Sequence, residues 1–251
     1  DLAQGKKLAE IKGIAYLQGG VVIKNAEQRP FEPVEEALFN WDLEPKEILE
    51  TLNLIPSLTP RGCPHRCTFC VNAILKNKWR PRTVEQVLED LRLINSKPYF
   101  KNKNLRFWDE NFFVDINRAK AIIKGMIKEG LARPWETTVR ANYLKPGMID
   151  DDFLDELKQS GCYLLSFGAE SGSQIVLDKI KKDITPEEIL HAARQCLKHD
   201  ITPQFSFMVG LPGELKRDMK LTLKIIDQLL KLSDRVQVLG PQAFRPYPGS
   251  D

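Results

Sequence analysis

Thr59-Pro60-Arg61-Gly62-Cys63-Pro64-His65-Arg66-Cys67-Thr68-Phe69-Cys70 holds three of the five cysteines of this 251-residue chain. Their spacing is Cys-x3-Cys-x2-Cys, directly after a short apolar run at 54–59. Gly62 and Pro64 favour a loop over helix or strand, so the sulfurs can converge. A secreted disulfide framework would spread an even set of cysteines through a smaller chain. A tight triple in a chain of this size points to metal. Thiolates normally hold every iron of a cubane cluster, so three of them leave the fourth iron open to a ligand. Two plainer alternatives stay open here. Structural zinc wants four closed ligands, and a purely electron-carrying cluster wants a fourth cysteine nearby in space.

Outward from this loop, short apolar runs alternate with helical patterns. The candidate strands are 54–59, 105–108, 136–139, 163–167, 204–209 and 236–239. Thr83-Val84-Glu85-Gln86 reads as a capping box, with Val84, Val87, Leu88 and Leu91 on one face. Asp115 opens a second helix that Gly130 ends, and a third covers 151–160 up to Gly161. Thr185-Pro186-Glu187-Glu188 caps a fourth, and a fifth runs over about 215–232. Such alternation predicts parallel strands with helical crossovers. The expected fold is therefore α/β: a partial (β/α)6 TIM-like barrel of parallel strands with outer helices, preceded by a short hairpin and linker. Function in such barrels sits at the carboxyl ends of the strands. The expected domains are 1–52, with a hairpin at Leu17-Gln18-Gly19-Gly20-Val21-Val22-Ile23 and a Pro-punctuated acidic linker at 29–45, and a core at 53–251.

Composition excludes some classes. Lys and Arg number 37 against 34 Asp and Glu, a net of +3, which is too small to argue for nucleic acid or an anionic membrane. No apolar stretch is long enough to span a bilayer, and no secretion leader is visible. Asp1 at the start and Pro246-Tyr247-Pro248-Gly249-Ser250-Asp251 at the end read as those of a fragment.

Cys-x3-Cys-x-aromatic-Cys after the first strand of a (β/α) barrel resembles the signature of the radical S-adenosylmethionine superfamily. The resemblance covers about 54–251. It implies a [4Fe-4S] cluster on Cys63, Cys67 and Cys70, whose open iron chelates the amino and carboxylate groups of S-adenosylmethionine. One electron then splits the cofactor into methionine and a 5′-deoxyadenosyl radical, which abstracts hydrogen from the substrate.

The same resemblance nominates cofactor contacts at the strand ends. Phe69 matches an aromatic position beside the adenine, the plainer alternative being a core aromatic. Phe107-Trp108-Asp109-Glu110-Asn111 stands where many relatives carry Gly-Gly-Glu, so either Asp109 or Glu110 would meet the methionine ammonium; a solvated acidic turn is the alternative. Arg140 at the end of the third strand could fork onto a carboxylate or form an ordinary salt bridge. Gly168-Ala169-Glu170-Ser171-Gly172-Ser173 resembles a Gly-x-Glu-Ser-Gly motif whose Glu and Ser meet the ribose hydroxyls. Lys182 matches a basic position facing the methionine carboxylate, against the alternative of a surface lysine. Gly210, in Gly210-Leu211-Pro212-Gly213-Glu214, belongs to a turn that approaches the adenine. Cys162 and Cys196 read as core residues. His65, His191 and His199 show no ligand spacing and receive no role.

The hairpin, the linker and the whole motif series resemble the catalytic core of cobalamin-associated radical enzymes, with residues 1–15 as the end of a cobalamin-binding domain. That implies cobalamin in the full-length parent, a small-molecule substrate, methylation or ring rearrangement, and a flavodoxin- or ferredoxin-type electron donor. An air-labile cluster implies a cytoplasmic setting. The alternatives are a tRNA methylthiotransferase-like enzyme, which usually adds a basic RNA-binding domain, and a non-catalytic iron–sulfur or zinc module.

Overall fold

The computed structural model describes residues 4–28, 39–74 and 78–247, and every structural statement here concerns those residues. Residues 29–38 of the expected linker and 248–251 of the closing Pro-Gly stretch lie outside them. The chain divides into two compact units, Asp1–Glu36 and Ala37–Asp251.

The smaller unit carries the expected hairpin. Strands β1 (Ala15–Gln18) and β2 (Val21–Lys24) pair antiparallel around Gly19 and Gly20. Both glycines have positive φ, 58° and 80°, which is the requirement of a two-residue turn matching strand twist. Asn25 Nδ2 donates to the carbonyls of Leu8 and Ile11 at 2.6 Å each and ties the preceding turn to the hairpin.

The larger unit begins before the boundary expected at residue 52. Trp41 and Leu49, the latter on helix α1 (Lys46–Thr51), are buried in its core, and Trp41 meets Phe100 edge-on at 5.0 Å. The stretch 39–52 therefore packs with the larger unit, because its apolar side chains have a core to enter there.

Six strands form one parallel sheet: β3 (Leu54–Ser57), β6 (Asn104–Phe107), β7 (Trp135–Val139), β8 (Cys162–Glu170), β9 (Thr202–Val209) and β10 (Gln237–Ala243). Their order in space follows their order in the chain. A doubly wound sheet reverses direction midway; this one does not, as in a barrel wall. Between them run α3 (Val84–Ser96), α4 (Ile116–Lys128), α5 (Asp151–Gln159), α6 (Gln174–Lys179), α7 (Pro186–Lys198) and α8 (Lys216–Leu230). The caps form as the sequence predicts. Thr83 and Gln86, and Thr185 and Glu188, bond reciprocally, and Asp115 accepts from the Arg118 amide. The last strand starts one residue later than expected and runs four residues further, and α6 had no sequence signal of its own.

Strand alternation gives the sheet two unlike faces. Leu105, Phe107, Trp135, Val139, Leu165, Phe167, Phe205 and Phe207 are essentially fully buried. The intervening residues, Arg106, Thr138, Ser166, Gly168, Gln204 and Ser206, are only half-buried and border a cleft. That cleft has a volume of about 580 Å³ and touches both Arg106 on β6 and Leu239 on β10. In a flat sheet these strands would lie roughly 19 Å apart, so the sheet curls around the cleft. Among the described residues β3 and β10 do not pair with each other, which leaves the wall an open arc.

Candidate active site

The cysteine loop leaves β3 and is closed at its base by a two-stranded ribbon, β4 (Pro60–Arg61) with β5 (Arg80–Pro81), which the sequence did not signal. Gly62 takes a φ of 77°, a conformation that glycine adopts without a Cβ penalty. The Cys70 amide donates to the Cys67 carbonyl at 3.0 Å, and helix α2 (Val71–Ile74) starts at once. The loop is also stitched to the turn after α6, because the Thr68 amide donates to the Ile180 carbonyl at 3.1 Å.

Cys63, Cys67 and Cys70 all line the cleft, together with Phe69, Glu110, Arg140, Glu170 and Lys182. Eight of the eleven expected site residues thus share one cavity wall. Cys162 and Cys196 are core residues on β8 and α7, and neither borders the cleft. Among the described residues no three His, Cys, Asp or Glu side chains converge tightly enough to hold a single metal ion. A cubane spreads its thiolates over different irons, so three thiols sharing a wall without meeting at a point fit it better than they fit zinc.

Arg140 gives a second test of that fit. It is 6% exposed, and its Nη1 lies 3.5 Å from Cys67 Sγ. Its Nε and Nη2 are buried with no hydrogen-bond partner. Buried donors without acceptors are costly, and an anionic cluster or carboxylate in the cleft would satisfy them. Burial pushes the Cys63 thiol up, against a lowering hydrogen bond from the His65 backbone. Iron would supply the energy to deprotonate it. The His65 ring is pushed down to about 4 by burial first and then by the charges of Arg140 and Lys182, so it is neutral at pH 7. It stands 2.9 Å from the Tyr143 hydroxyl.

In the same cleft, Lys182 Nζ donates to Glu170 Oε1 at 2.7 Å, with both residues under 10% exposed. The ammonium also lies 5.6 Å from the Phe69 ring centre. Backbone strain gathers here. Glu170, Lys181 and Asp183 have φ of 62°, 52° and 51°, and they are three of the four non-glycine residues with positive φ. Each such residue costs about 1–2 kcal/mol. Glu170 owes its pose to a register shift between β8 and β9, where Gly168 pairs with Ser206 but Glu170 with Phe207. This bulge turns the Glu170 carboxylate back over the cleft.

Three expected contacts lie elsewhere. Asp109 is buried, and both its oxygens bond Thr59, Oδ1 to the amide at 2.8 Å and Oδ2 to the hydroxyl at 2.6 Å. Burial pushes its carboxyl up to about 7 despite those bonds and the nearby Arg118 charge. Ser171 is fully buried and its hydroxyl pairs with that of Thr222 at 3.1 Å, joining the end of β8 to α8. Gly210 is exposed after β9, with its amide on Glu214 Oε2 at 2.5 Å and a φ of 80°, and it does not border the cleft. Of Asp109 and Glu110, Glu110 is the one on the wall. Sequence reasoning missed His65, Asn111 and the polar strand residues Arg106, Ser166, Gln204 and Ser206. Reading every second residue back from Glu170 along β8 would have found Ser166, and the half-buried alternate positions of β6 and β9 mark Arg106, Gln204 and Ser206.

The family model of the Radical SAM superfamily matches residues 57–226. An uncharacterised methyltransferase of Pyrococcus horikoshii is 30% identical over 99% of this chain and 52% of its own length. The chain spans about half the length of that relative. Among solved structures, the radical S-adenosylmethionine methyltransferase TsrM from Kitasatospora setae, with cobalamin and a [4Fe-4S] cluster bound, superposes with a TM-score of 0.71 at 17% identity, covering 91% of this chain and 47% of its own. The cobalamin-dependent radical enzyme OxsB, with aqua-cobalamin and S-adenosylmethionine bound, gives 0.73 at 24% identity, covering 95% and 35%. At these identities the likeness establishes the fold. The family match spans more than half the sequence and includes the cysteine loop and four of the five sheet strands that follow it, so this chain is a member of the Radical SAM superfamily.

Proposed function

We propose that the chain is the catalytic core of a cobalamin-dependent radical S-adenosylmethionine methyltransferase acting on a small molecule. The observation that carries this reading is one cavity lining that holds three thiols, a buried guanidinium against Cys67 with two unsatisfied nitrogens, and a buried Glu170–Lys182 pair. In this reading Cys63, Cys67 and Cys70 hold the cluster. Phe69, Glu110, Arg140, Glu170 and Lys182 would hold the cofactor, Phe69 at its adenine, Glu170 at its ribose hydroxyls, Glu110 at its ammonium, and Lys182 and Arg140 at carboxylate or cluster charge. When bound, the cluster and cofactor supply reductive cleavage of a sulfonium carbon–sulfur bond, using one electron from an outside donor of the flavodoxin or ferredoxin kind.

Cobalamin is far larger than a cleft of about 580 Å³. It would occupy the rest of the parent chain, with the hairpin unit as the junction to the domain that holds it. Among the described residues no helix is long and apolar enough to cross a membrane. An oxygen-sensitive cluster suits the cytosol.

Anaerobic reconstitution of the parent protein tests both levels. The cluster reading expects about four irons per chain and turnover of S-adenosylmethionine, both lost in Cys67→Ala. Full turnover in that variant would refute it. The methyltransferase reading expects a spectral shift on cobalamin titration, and a parent that takes up iron but no cobalamin would sink that part alone.

A further inference from the structure

The cysteine loop is an excursion of about twenty residues, and something must hold its two ends together. One buried guanidinium touches both. Arg118, in the first turn of α4, donates through Nη2 to the Thr59 carbonyl at 2.8 Å, at the entry to the loop. Its Nε donates to the Arg82 carbonyl at 2.9 Å, at the exit. Its Nη1 reaches the Thr59 hydroxyl at 3.3 Å. Thr59 in turn gives its amide and hydroxyl to Asp109, and its carbonyl also accepts from the Arg82 amide at 3.0 Å. Every polar group of Thr59 is used, and Thr59, Arg118 and Asp109 are all under 10% exposed. Asp109 stands just beyond β6, so the network joins the loop to the sheet and to α4 at once.

We propose that Asp109, Thr59 and Arg118 form a buried clamp that sets the position of the cluster-bearing loop, with Asp109 a positioning residue and not a cofactor ligand. The clamp acts through the backbone. Thr59 lies four residues before Cys63, and the ribbon between them has little freedom once Thr59 is fixed. Asp109 holds Thr59 through two hydrogen bonds, and its ionised form also attracts the buried guanidinium. Arg118 needs its fork, because a planar group with several donors grips the two carbonyls that flank the ribbon, those of Thr59 and Arg82. The proposal rests on the cluster being held by the three cysteines.

The test is iron release to an external chelator from the anaerobically reconstituted protein, together with the electron paramagnetic resonance spectrum of its reduced cluster. Asp109→Ala and Thr59→Val should lose iron about ten- to a hundredfold faster, as removal of supports behind metal ligands does, and should broaden the spectrum. Thr59→Ser, which keeps the hydroxyl, should behave as the native protein. Arg118→Lys keeps the charge but not the fork, and should release iron faster too. Cys196→Ala destabilises the core away from the clamp and should leave release unchanged at a matched fall in melting temperature. Release within twofold of native in both Asp109→Ala and Thr59→Val would overturn the clamp. Failure of the native protein to take up iron would instead overturn the cluster reading.

Discussion

Gly168 offers a clean probe of the cofactor contacts. It lies on β8 facing the cleft, and a Cβ built there would stand 2.3 Å from Glu170 Oε1 and 2.7 Å from Lys182 Nζ. An unstrained contact needs about 3.5 Å, so in Gly168→Ala the carboxylate must retreat by about 1 Å. Both neighbours are the far ends of side chains, so they can move without the backbone following. Gly168 does not have a positive φ, so alanine adopts its conformation without strain. The lower entropy of the unfolded chain even favours alanine by about 0.4–1 kcal/mol. The fold should therefore melt close to the native temperature while the Glu170–Lys182 arrangement is displaced. Losing one charge-assisted hydrogen bond to the cofactor costs about 1.5–3 kcal/mol. At about 1.4 kcal/mol per decade that is roughly a 10- to 150-fold weaker Kd for S-adenosylmethionine. Isothermal titration under anaerobic conditions on the reconstituted protein reads it directly, with Ser206→Ala as a cleft control that touches neither side chain. A variant with full iron, native melting and a Kd within threefold of native would show that Glu170 and Lys182 do not hold the cofactor.

Ser171→Ala should behave in the opposite way. Its hydroxyl serves Thr222 and the Ser173 amide, so the variant should lose about 1–3 kcal/mol of stability and keep its cofactor affinity; a large loss of affinity at unchanged melting would return Ser171 to the site. Gly161→Ala forces a Cβ to 2.1 Å from the Arg133 carbonyl at a φ of 100°. That carbonyl cannot yield easily, because Arg133 Nη2 grips the Phe100 and Lys103 carbonyls, so a fall of roughly 10 °C in melting temperature is expected, and a native melting curve would refute the packing. His199 sits between Asp151 and Asp155, with Lys198 also on Asp151. Burial lowers its pKa, but the hydrogen bonds to Asp155 and Asp151 outweigh this and raise it. The stability His199 adds is then fully present below about 6.5 and is lost as pH rises through the higher folded value. Denaturant midpoints of native protein and His199→Gln should differ at pH 6 and converge at pH 9; a pH-independent gap would refute the pairing.

Much of this was legible before folding. Capping residues act on their own helix, so Thr83, Asp115 and Thr185 marked true helix starts. Strand runs were legible because both local β preference and burial favour Leu105, Phe107, Leu165 and Phe205. The site was legible wherever a motif residue also sits at the cleft register. Glu170 at the bulged end of β8 and Arg140 directly after β7 both face the cavity. Asp109 and Ser171 sit in the same motifs but one position off that register. Both lie in the turns just after their strands, where Asp109 bonds Thr59 and Ser171 bonds Thr222. The polar band of Arg106, Ser166 and Gln204 carries no motif, and only strand parity reveals it.

By itself the sequence determined the loop on which the proposed chemistry begins. Three thiols at that spacing, on a loop that Gly62 and Pro64 keep irregular, are a local property of twelve residues. It also determined the alternation of strands and helices, because periodicity and caps act within a few residues. The tertiary structure decided which side chains share the cavity with those thiols. It brought Arg140 to Cys67 across 73 positions, paired Glu170 with Lys182 through a bulge, and gave Asp109 to the base of the loop. These are long-range outcomes of sheet register and of where a buried charge can find a partner. No short window of sequence contains them.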